Sequence, residues 1–484
     1  MPLLRQFGKL AQGSSERRRG YGGTMRWPAA ILLLLQCSAL SAAESEPIVP
    51  LDSTALLGRA ERALQKQSPA QAVALYSRAL GGPALPQDDL VSSYNNRAIA
   101  LRRMGQFARA AADYNRAIAL APEDPDLLFN RALALLPDGR FEEAVAELTT
   151  LLQVRPDDAQ AIYLRGVAEL GQSRPDRAIE DLTAAIALGV ATPEAFYARG
   201  RAYATLRQHD LALDDFDAAL AVSPDFGPAL FGRGYSHSGL GQHELAVRDH
   251  SAAIALLPQD PAPYRGRADA YRRLGRFDLA IADYSRAIAI APGDSASHGG
   301  RALARQRLGQ YDPAIADFGE AIRLDPRGTT IAGTTAYKER GSLRFHLGQY
   351  SEAARDFQHS LRLIPHDAYA VLWLYLARQR SGIDGRAELA DHAGRLALTR
   401  WPGPVVALFL GDASPSEVLK AMRHDDERRQ RERECEAFFY LGEYHLLRGD
   451  LELAARFFRK SEMAGITNFM EYAGAKAELK KLAL

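Results

Sequence analysis

Prolines recur through the middle of this chain at a spacing of 34 residues or a multiple of it. They are Pro122, Pro156, Pro224, Pro258, Pro292 and Pro326. The series skips position 190, which is a valine, and continues with Pro365 after a longer interval of 39 residues. Because proline has no N–H to donate and disrupts a helix interior, a periodic proline indicates that a helix ends at the same place in every unit. A fixed period of this length restricts the chain to stacked copies of one small helical unit.

Three further positions keep their character when the proline is counted as the thirty-second residue of the unit. The eighth position is small, with Ala98, Ala132, Gly166, Gly200, Gly234, Ala268, Ala302 and Gly341. The twentieth is alanine, with Ala110, Ala144, Ala178, Ala212, Ala246, Ala280, Ala314 and Ala353. The twenty-fourth is mostly large, with Tyr114, Leu148, Leu182, Phe216, His250, Tyr284, Phe318 and Phe357. Small residues let two antiparallel helices approach closely, and a large residue fills the space between neighbouring hairpins.

On these residues the chain is identified as a member of the tetratricopeptide-repeat (TPR) family, with eight regular units over residues 91–366. The resemblance implies an all-α fold, a TPR α-solenoid in which antiparallel helix pairs form a right-handed superhelix. A weaker unit within residues 44–90 has Ala72, Tyr76 and Ala79 in register. We interpret it as an N-terminal capping unit, because an end repeat must present one face to water.

Residues 1–43 have the layout of a secretory signal peptide, with Met25 as the better start than Met1. Arg26 precedes an apolar run, residues 29–35, and small residues lead up to a cleavage point after Ala43. The apolar run is too short for a membrane span of about 20 residues. We therefore expect an exported protein of the periplasm or cell envelope.

The two cysteines, Cys37 and Cys435, bear on this segment and on redox chemistry. Residues 34–37 have the position of a lipoprotein acylation site, although Gln36 is not the small residue that such a site needs before its cysteine. Either Cys37 is removed with the signal peptide, or it is acylated and anchors the protein to the outer membrane. Cleavage after Ala43 leaves Cys435 alone, and we interpret it as a small buried apolar side chain.

Two charged positions recur together in the repeats. The seventh position is arginine in all eight units, with Arg97, Arg131, Arg165, Arg199, Arg233, Arg267, Arg301 and Arg340. The twenty-third is acidic in all eight, with Asp113, Glu147, Asp181, Asp215, Asp249, Asp283, Asp317 and Asp356. In the divergent last unit both are lost together, as Leu441 and Phe457. We interpret these residues as a structural ladder of ion pairs between first and second helices, because a ligand-binding site rarely recurs identically in every unit.

The fifth position of each unit is predicted to line a concave groove formed by the first helices. Its residues are Asn95, Phe129, Tyr163, Tyr197, Phe231, Arg265, Gly299 and Lys338. Aromatic and arginine side chains often dominate binding energy, so Phe129, Tyr163, Tyr197, Phe231, Arg265 and Lys338 are candidate partner-binding residues. They suit an extended or helical peptide with apolar and acidic features. The alternative is that the rings only cover neighbouring helices.

The C-terminal third departs from the repeat pattern, with a divergent helical segment at 367–433 and a TPR-like unit with a terminal helix at 434–484. The sequences Leu-Trp-Leu-Tyr-Leu-Ala at 372–377, Phe-Tyr-Leu-Gly at 439–442 and Phe-x-Glu-Tyr at 469–472 resemble those of NlpI-type TPR lipoproteins of Gram-negative bacteria. That resemblance implies an envelope scaffold for peptidoglycan hydrolases or a periplasmic protease, often dimeric. The apolar helix at 369–377 and the terminal helix are candidate surfaces for a homodimer.

Composition and motifs narrow the function to protein binding. With 60 basic and 59 acidic residues, no net field draws the chain to nucleic acid. No phosphate-binding loop, nucleophile elbow or zinc-protease motif is present, and we expect no enzyme activity, cofactor or metal. Three functions remain: an exported envelope scaffold, a TPR component of a secretion or polysaccharide-export assembly, and a cytosolic adaptor.

Overall fold

The computed structural model of the chain describes residues 52–467 and 469–482, without the side chains of residues 331 and 332. The predicted signal segment, with Met25 and Cys37, lies outside the described residues. Within them the chain forms 25 α-helices and no β-strand. The predicted all-α fold of repeated helix pairs is confirmed.

The chain divides into two units, of which the first ends at Gln242 and the second begins at His243. The first unit contains α1 (Ser53–Gln65), α2 (Pro69–Leu80), α3 (Gln87–Arg103), α4 (Phe107–Leu120), α5 (Pro125–Leu135), α6 (Phe141–Val154), α7 (Ala159–Gly171), α8 (Pro175–Ala187), α9 (Pro193–Thr205), α10 (His209–Val222) and α11 (Gly227–Gly239). The second contains α12 (His243–Leu256), α13 (Pro261–Arg273), α14 (Phe277–Ile290), α15 (Ser295–Arg307), α16 (Tyr311–Leu324), α17 (Ile331–His346), α18 (Tyr350–Leu363), α19 (Ala368–Arg380), α20 (Arg386–Ala393), α21 (Gly403–Leu410), α22 (Pro415–Ala421), α23 (Glu427–Leu447), α24 (Leu451–Met463) and α25 (Met470–Leu482).

The periodic prolines and the aspartates that follow them set the helix boundaries. Each periodic proline lies two residues beyond the end of a second helix, as Pro122 does after Leu120. After three of these prolines, the aspartate two residues further on is the N-cap of the next first helix, and its carboxylate accepts backbone N–H bonds there. Asp124, Asp158 and Asp260 do this at 2.9–3.1 Å. One short segment thus ends one helix and starts the next.

The side chain at position twenty-four is packed between two first helices. Phe216 of α10 is fully buried, and both helices present glycine to its ring. A Cβ atom added to Gly200 of α9 would lie 2.9 Å from the ring atom Cε1, and one added to Gly232 of α11 would lie 2.6 Å from it. The absence of a side chain at these two positions therefore lets both helices pack against the ring.

The apolar helix of the C-terminal third is α19, and it is buried within the second unit. Eight consecutive side chains, residues 370–377, are at most 6% exposed. Trp373 lies at their centre and packs against Phe345 of α17 and Phe439 of α23, with both ring centroids 5.0 Å away. The expectation that α19 offers a surface for self-association is wrong, because its apolar side chains already form the core that joins α17, α18 and α23.

We expect Gly232→Ala to lower the free energy of unfolding of the first unit by about 1–3 kcal/mol, because the added methyl group overpacks the Phe216 ring. The matched control is Gly58→Ala in α1, where an added Cβ meets only the Arg62 guanidinium at 3.7 Å. There the better helix propensity of alanine should raise stability by about 0.5–1 kcal/mol. Urea denaturation followed by circular dichroism measures both, and equal stabilisation by the two changes would contradict the packing argument.

Candidate functional site

The four predicted aromatic residues at position five all lie in the first unit, on first helices. Phe129, Tyr197 and Phe231 are half-buried, whereas Tyr163 is only 7% exposed. Tyr197 contacts the rings of Phe216 and Phe226, with centroids 6.0 and 5.7 Å away. Tyr163 is thus mainly part of the core between helices, and the other three side chains remain partly exposed.

The two basic residues predicted for the same face lie in the second unit and are paired with aspartates. Arg265 donates from Nη1 to Oδ2 of Asp294 at 2.8 Å, and Lys338 donates from Nζ to Oδ2 of Asp367 at 2.9 Å. Both aspartates occupy the last position of the repeat, and Asp367 also caps α19. These cations therefore already have a counter-ion within their own repeat, which the sequence argument had not foreseen.

An exposed aromatic residue that sequence reasoning missed lies beside this row. Tyr235, at position nine of its repeat, is 55% exposed and contacts the ring of His209 at a centroid distance of 6.1 Å. Position nine follows position five by one helical turn, so both project from the same face of a first helix. Here we define the first-helix face of the first unit as Phe129, Tyr197, Phe231 and Tyr235.

In seven repeats the arginine and the acid of the recurring charge pattern lie within hydrogen-bonding distance of each other. Six pairs are bidentate, with Nε and Nη2 donating to the two carboxylate oxygens at 2.6–2.9 Å. They are Arg97–Asp113, Arg165–Asp181, Arg199–Asp215, Arg267–Asp283, Arg301–Asp317 and Arg340–Asp356. Arg131 donates to Glu147 through Nη2. The remaining repeat carries Arg233 and Asp249. Arg233, in the first unit, pairs with Asp217 at 2.6 Å, and Asp249, in the second unit, is buried.

Most of these arginines also reach back to the preceding repeat. Nη1 of Arg97 donates to Ser77 at 3.1 Å, Nη1 of Arg199 to Thr183 at 3.2 Å, and Nη1 of Arg301 to Ser285 at 3.0 Å. For Arg199 and Arg301 the acceptor is 16 residues before the arginine and two residues after the acidic position of the preceding repeat. Ser77, in the N-terminal unit, is 20 residues before Arg97. Each such arginine therefore connects three helices of two repeats, which assigns it to the architecture rather than to an open binding stripe.

A buried group of carboxylates in the second unit was not found from the sequence. Glu436 of α23 is 7% exposed and accepts hydrogen bonds from the Tyr369 hydroxyl at 3.1 Å and from Trp401 Nε1. Burial, together with the charge on Glu471, raises the pKa of Glu436 to about 7. In the sequence Glu436 stands at the end of the charge run that begins at Arg423, which gives no sign that its carboxylate is buried.

In the described part of the chain, no three His, Cys, Asp or Glu side chains are arranged to hold a metal ion. Cys435 is fully buried, and burial raises the pKa of its thiol to about 12, which keeps it protonated and unreactive. None of the described helices has the length and apolar character needed to cross a membrane.

Comparison with known proteins identifies the repeat directly. A sequence model of the tetratricopeptide repeat matches residues 95–159, 138–189, 163–230, 231–295 and 300–368, which together make up more than half of the chain.

Several solved structures share the helix pairs over part of the chain. PilW, a type IV pilus biogenesis factor, is 18% identical, with 44% of this chain and 97% of that chain covered at a TM-score of 0.40. The C-terminal part of a TPR repeat-containing protein from Cytophaga hutchinsonii is 17% identical, with 51% and 99% covered at a TM-score of 0.39. YrrB, a TPR protein with an unusual peptide-binding site, is 22% identical, with 39% and 96% covered at a TM-score of 0.33.

We expect Asp356→Ala to destabilise the second unit by about 2–3 kcal/mol, because it leaves Arg340 and Arg344 without the carboxylate that both contact at 2.7 Å. Asp391→Ala is the control, since it removes an exposed pair with Arg395 and should change stability by less than about 0.5 kcal/mol. Urea denaturation of both variants tests this. An equal loss of stability in the two variants would show that the recurring ion pairs contribute no more to stability than an exposed surface pair does.

The raised pKa of Glu436 gives the second unit a defined pH dependence. A carboxyl whose folded pKa exceeds its unfolded value contributes stability that is full below about pH 4.5 and is lost as the pH rises through about 7. Charged Glu436 faces Glu471 and Glu432, and its hydrogen bonds from Tyr369 and Trp401 offset only part of that repulsion. We expect the second unit to lose about 2 kcal/mol between pH 5 and pH 8 through this group.

The variant Glu436→Gln isolates that contribution, because glutamine keeps the size of the side chain but cannot ionise. Its free energy of unfolding should fall less between pH 5 and pH 8 than that of the unsubstituted chain, and at pH 8 it should be the more stable of the two. If the free energy of unfolding had the same pH dependence in both chains, the raised pKa of Glu436 would be contradicted.

Proposed function

Because this chain belongs to the tetratricopeptide-repeat family, we propose that it is a non-enzymatic scaffold that binds peptide or protein partners in the bacterial cell envelope. The family implies a protein–protein interaction scaffold. The envelope location and the partner class are our proposal, and they rest on the sequence arguments above.

The observation that carries the binding role is the first-helix face of the first unit. Three half-buried rings at position five and the exposed ring of Tyr235 lie on the first helices α5, α9 and α11. Because these aromatic side chains are already partly exposed, a partner can cover them without their first leaving a core. This face therefore suits an apolar segment of a partner, in extended or helical form.

The ion pairs of Arg265 and Lys338 limit what these two basic residues can contribute to partner binding. Arg265 and Lys338 are each held by an aspartate of their own repeat, so an acidic partner residue would have to compete with that carboxylate. These pairs are half-buried and already satisfied, so a partner's carboxylate would gain little by replacing the aspartate. We therefore assign affinity for the partner mainly to the aromatic residues.

The proposed location depends on residues 1–43, which lie outside the described part of the chain. An exported protein with an NlpI-like C-terminal third would bring peptidoglycan hydrolases or a periplasmic protease together. Intact-mass measurement of the protein purified from its source tests this. A mature chain starting at Glu44, or a lipid-modified chain starting at Cys37, supports export, whereas a chain starting at Met1 or Met25 supports the cytosolic adaptor.

The second candidate within the envelope is a TPR component of a secretion or polysaccharide-export assembly, which shares the fold and the compartment. Crosslinking in intact cells followed by affinity purification separates the two. Recovery of cell-wall hydrolases or a protease supports our proposal, and recovery of export machinery supports the alternative.

We expect the triple variant Phe129→Ala, Tyr197→Ala, Phe231→Ala to reduce recovery of crosslinked partners at least about tenfold, because aromatic anchors usually supply most of the binding energy. Tyr163 is left unchanged, since its ring is buried and its loss would leave a cavity. The control replaces Val154, Leu211 and Val222, three exposed apolar residues of second helices, by alanine. Equal recovery with both triple variants, in chains of equal stability, would contradict the proposed face.

A further inference from the structure

The last helix of the second unit, α25, docks through an unusual set of side chains. Its buried residues are Glu471, Gly474, Ala475 and Glu478, so Ala475 is the one apolar side chain that it buries fully. Met470, Leu479 and Leu482 add partly buried contacts. By comparison, the preceding helix α24 buries Ala454, Ala455 and Phe458.

The first carboxylate of α25 meets two donors that belong to the core. Glu471 accepts a hydrogen bond from Tyr440 at 2.9 Å and one from Trp373 Nε1 at 3.3 Å. Both donors are fully buried, on α23 and α19. Buried polar groups of this kind require a partner, so these donors define a receptor site for a carboxylate.

The second carboxylate meets a cation. Glu478 accepts from Arg380 Nη2 at 2.9 Å, and Arg380 also pairs with Glu443 at 3.1 Å and donates to the Tyr350 hydroxyl at 2.6 Å. The side chain of Arg380 is 16% exposed, and α19 and α23 hold it in place. Since Glu471 and Glu478 are seven residues apart, both project from one face of α25.

Between the two carboxylates the helix comes very close to the core. A Cβ atom added to Gly474 would lie 2.6 Å from the ring of Phe439 and 3.2 Å from Nε2 of His346. His346 is the last residue of α17, the first helix of the eighth repeat. The segment that precedes α25 also contacts a first helix, because Arg307 of α15 donates to the carbonyl of Thr467 at 2.9 Å. The segment leading into α25 and the helix itself thus contact the ends of two first helices.

We propose that α17, α19 and α23 form a helix-binding site in which α25 is the chain's own occupant. The site recognises a helix that carries two carboxylates seven residues apart, with small residues such as Gly474 and Ala475 between them on the docking face. A partner protein that presents such a helix would compete with α25 for Trp373, Tyr440 and Arg380. This site is separate from the first-helix face of the first unit, and it stands whether or not that face binds a partner.

The composition of α25 explains why it can be displaced. The small residues at the centre of α25 bury little apolar area, so they contribute little to its docking. Docking also removes two carboxylates from water, and the free-energy cost of this offsets much of the energy of the hydrogen bonds that they accept. Gly474 further weakens the helix itself. The receptor side, in contrast, consists of side chains fixed in the core of the second unit, so it stays preformed when the helix leaves.

A fluorescent peptide of residues 469–482 tests the proposal on the full chain. The variant Gly474→Leu places a large side chain against Phe439, so it should displace the chain's own helix and increase amide hydrogen exchange in α25 but not in α24. We expect this variant to bind the peptide about tenfold more tightly than the unsubstituted chain, where α25 occupies the site. Lys476→Leu, on the exposed side of α25, is the control and should bind the peptide as the unsubstituted chain does.

Altered peptides test the chemistry of recognition. Peptides with Glu471→Gln or Glu478→Gln should bind the Gly474→Leu chain about tenfold more weakly, and a peptide with Gly474→Leu should not bind. The proposal is wrong if the Gly474→Leu chain shows faster exchange in α25 but no saturable peptide binding. It is equally wrong if the glutamine peptides bind as well as the original. The alanine variants of the first-helix face should leave peptide binding unchanged, so failure of the proposed function would be seen separately.

Discussion

The structure depends on one packing constraint, in which a large side chain at position twenty-four fills the space between two first helices. Phe216 shows it most clearly, because glycine faces its ring from α9 and from α11. The longer interval before Pro365 leaves the corresponding ring of Phe318 buried as well, so extra residues in a connection are compatible with this packing. The regular period of 34 residues fixes which side chains share a face in each unit.

The recurring arginine adds a polar connection to that packing. In six repeats it binds the carboxylate of its own repeat in bidentate form, and in most repeats it also binds a polar side chain of the preceding repeat. Arg267, with Asp283 and Ser251, is one example. In the last unit the two positions become Leu441, which is buried, and Phe457, whose ring stacks on His445 at 5.4 Å. An arginine or an acid alone would be costly in this setting, which explains why the two are present together and absent together.

Contacts that repeat with the period could be predicted from the sequence, and contacts that occur once could not. The prolines, the small eighth position and the large twenty-fourth position led to the fold, because each acts within a repeat or on its neighbour. The pairing of Arg265 with Asp294 was missed because periodicity says nothing about a position that changes from repeat to repeat. The burial of α19 and the docking of α25 depend on Glu471 meeting Trp373, 98 residues away. No local pattern encodes such a pairing.

The central claim is that the first helices, rather than the second, carry the binding surface. Photo-crosslinking in living cells tests it most directly, with a benzophenone amino acid at position 197 of α9 or at position 211 of α10, where Leu211 is 47% exposed. We expect a discrete crosslinked partner from position 197 and none from position 211. A partner captured from position 211 but not from position 197 would contradict it.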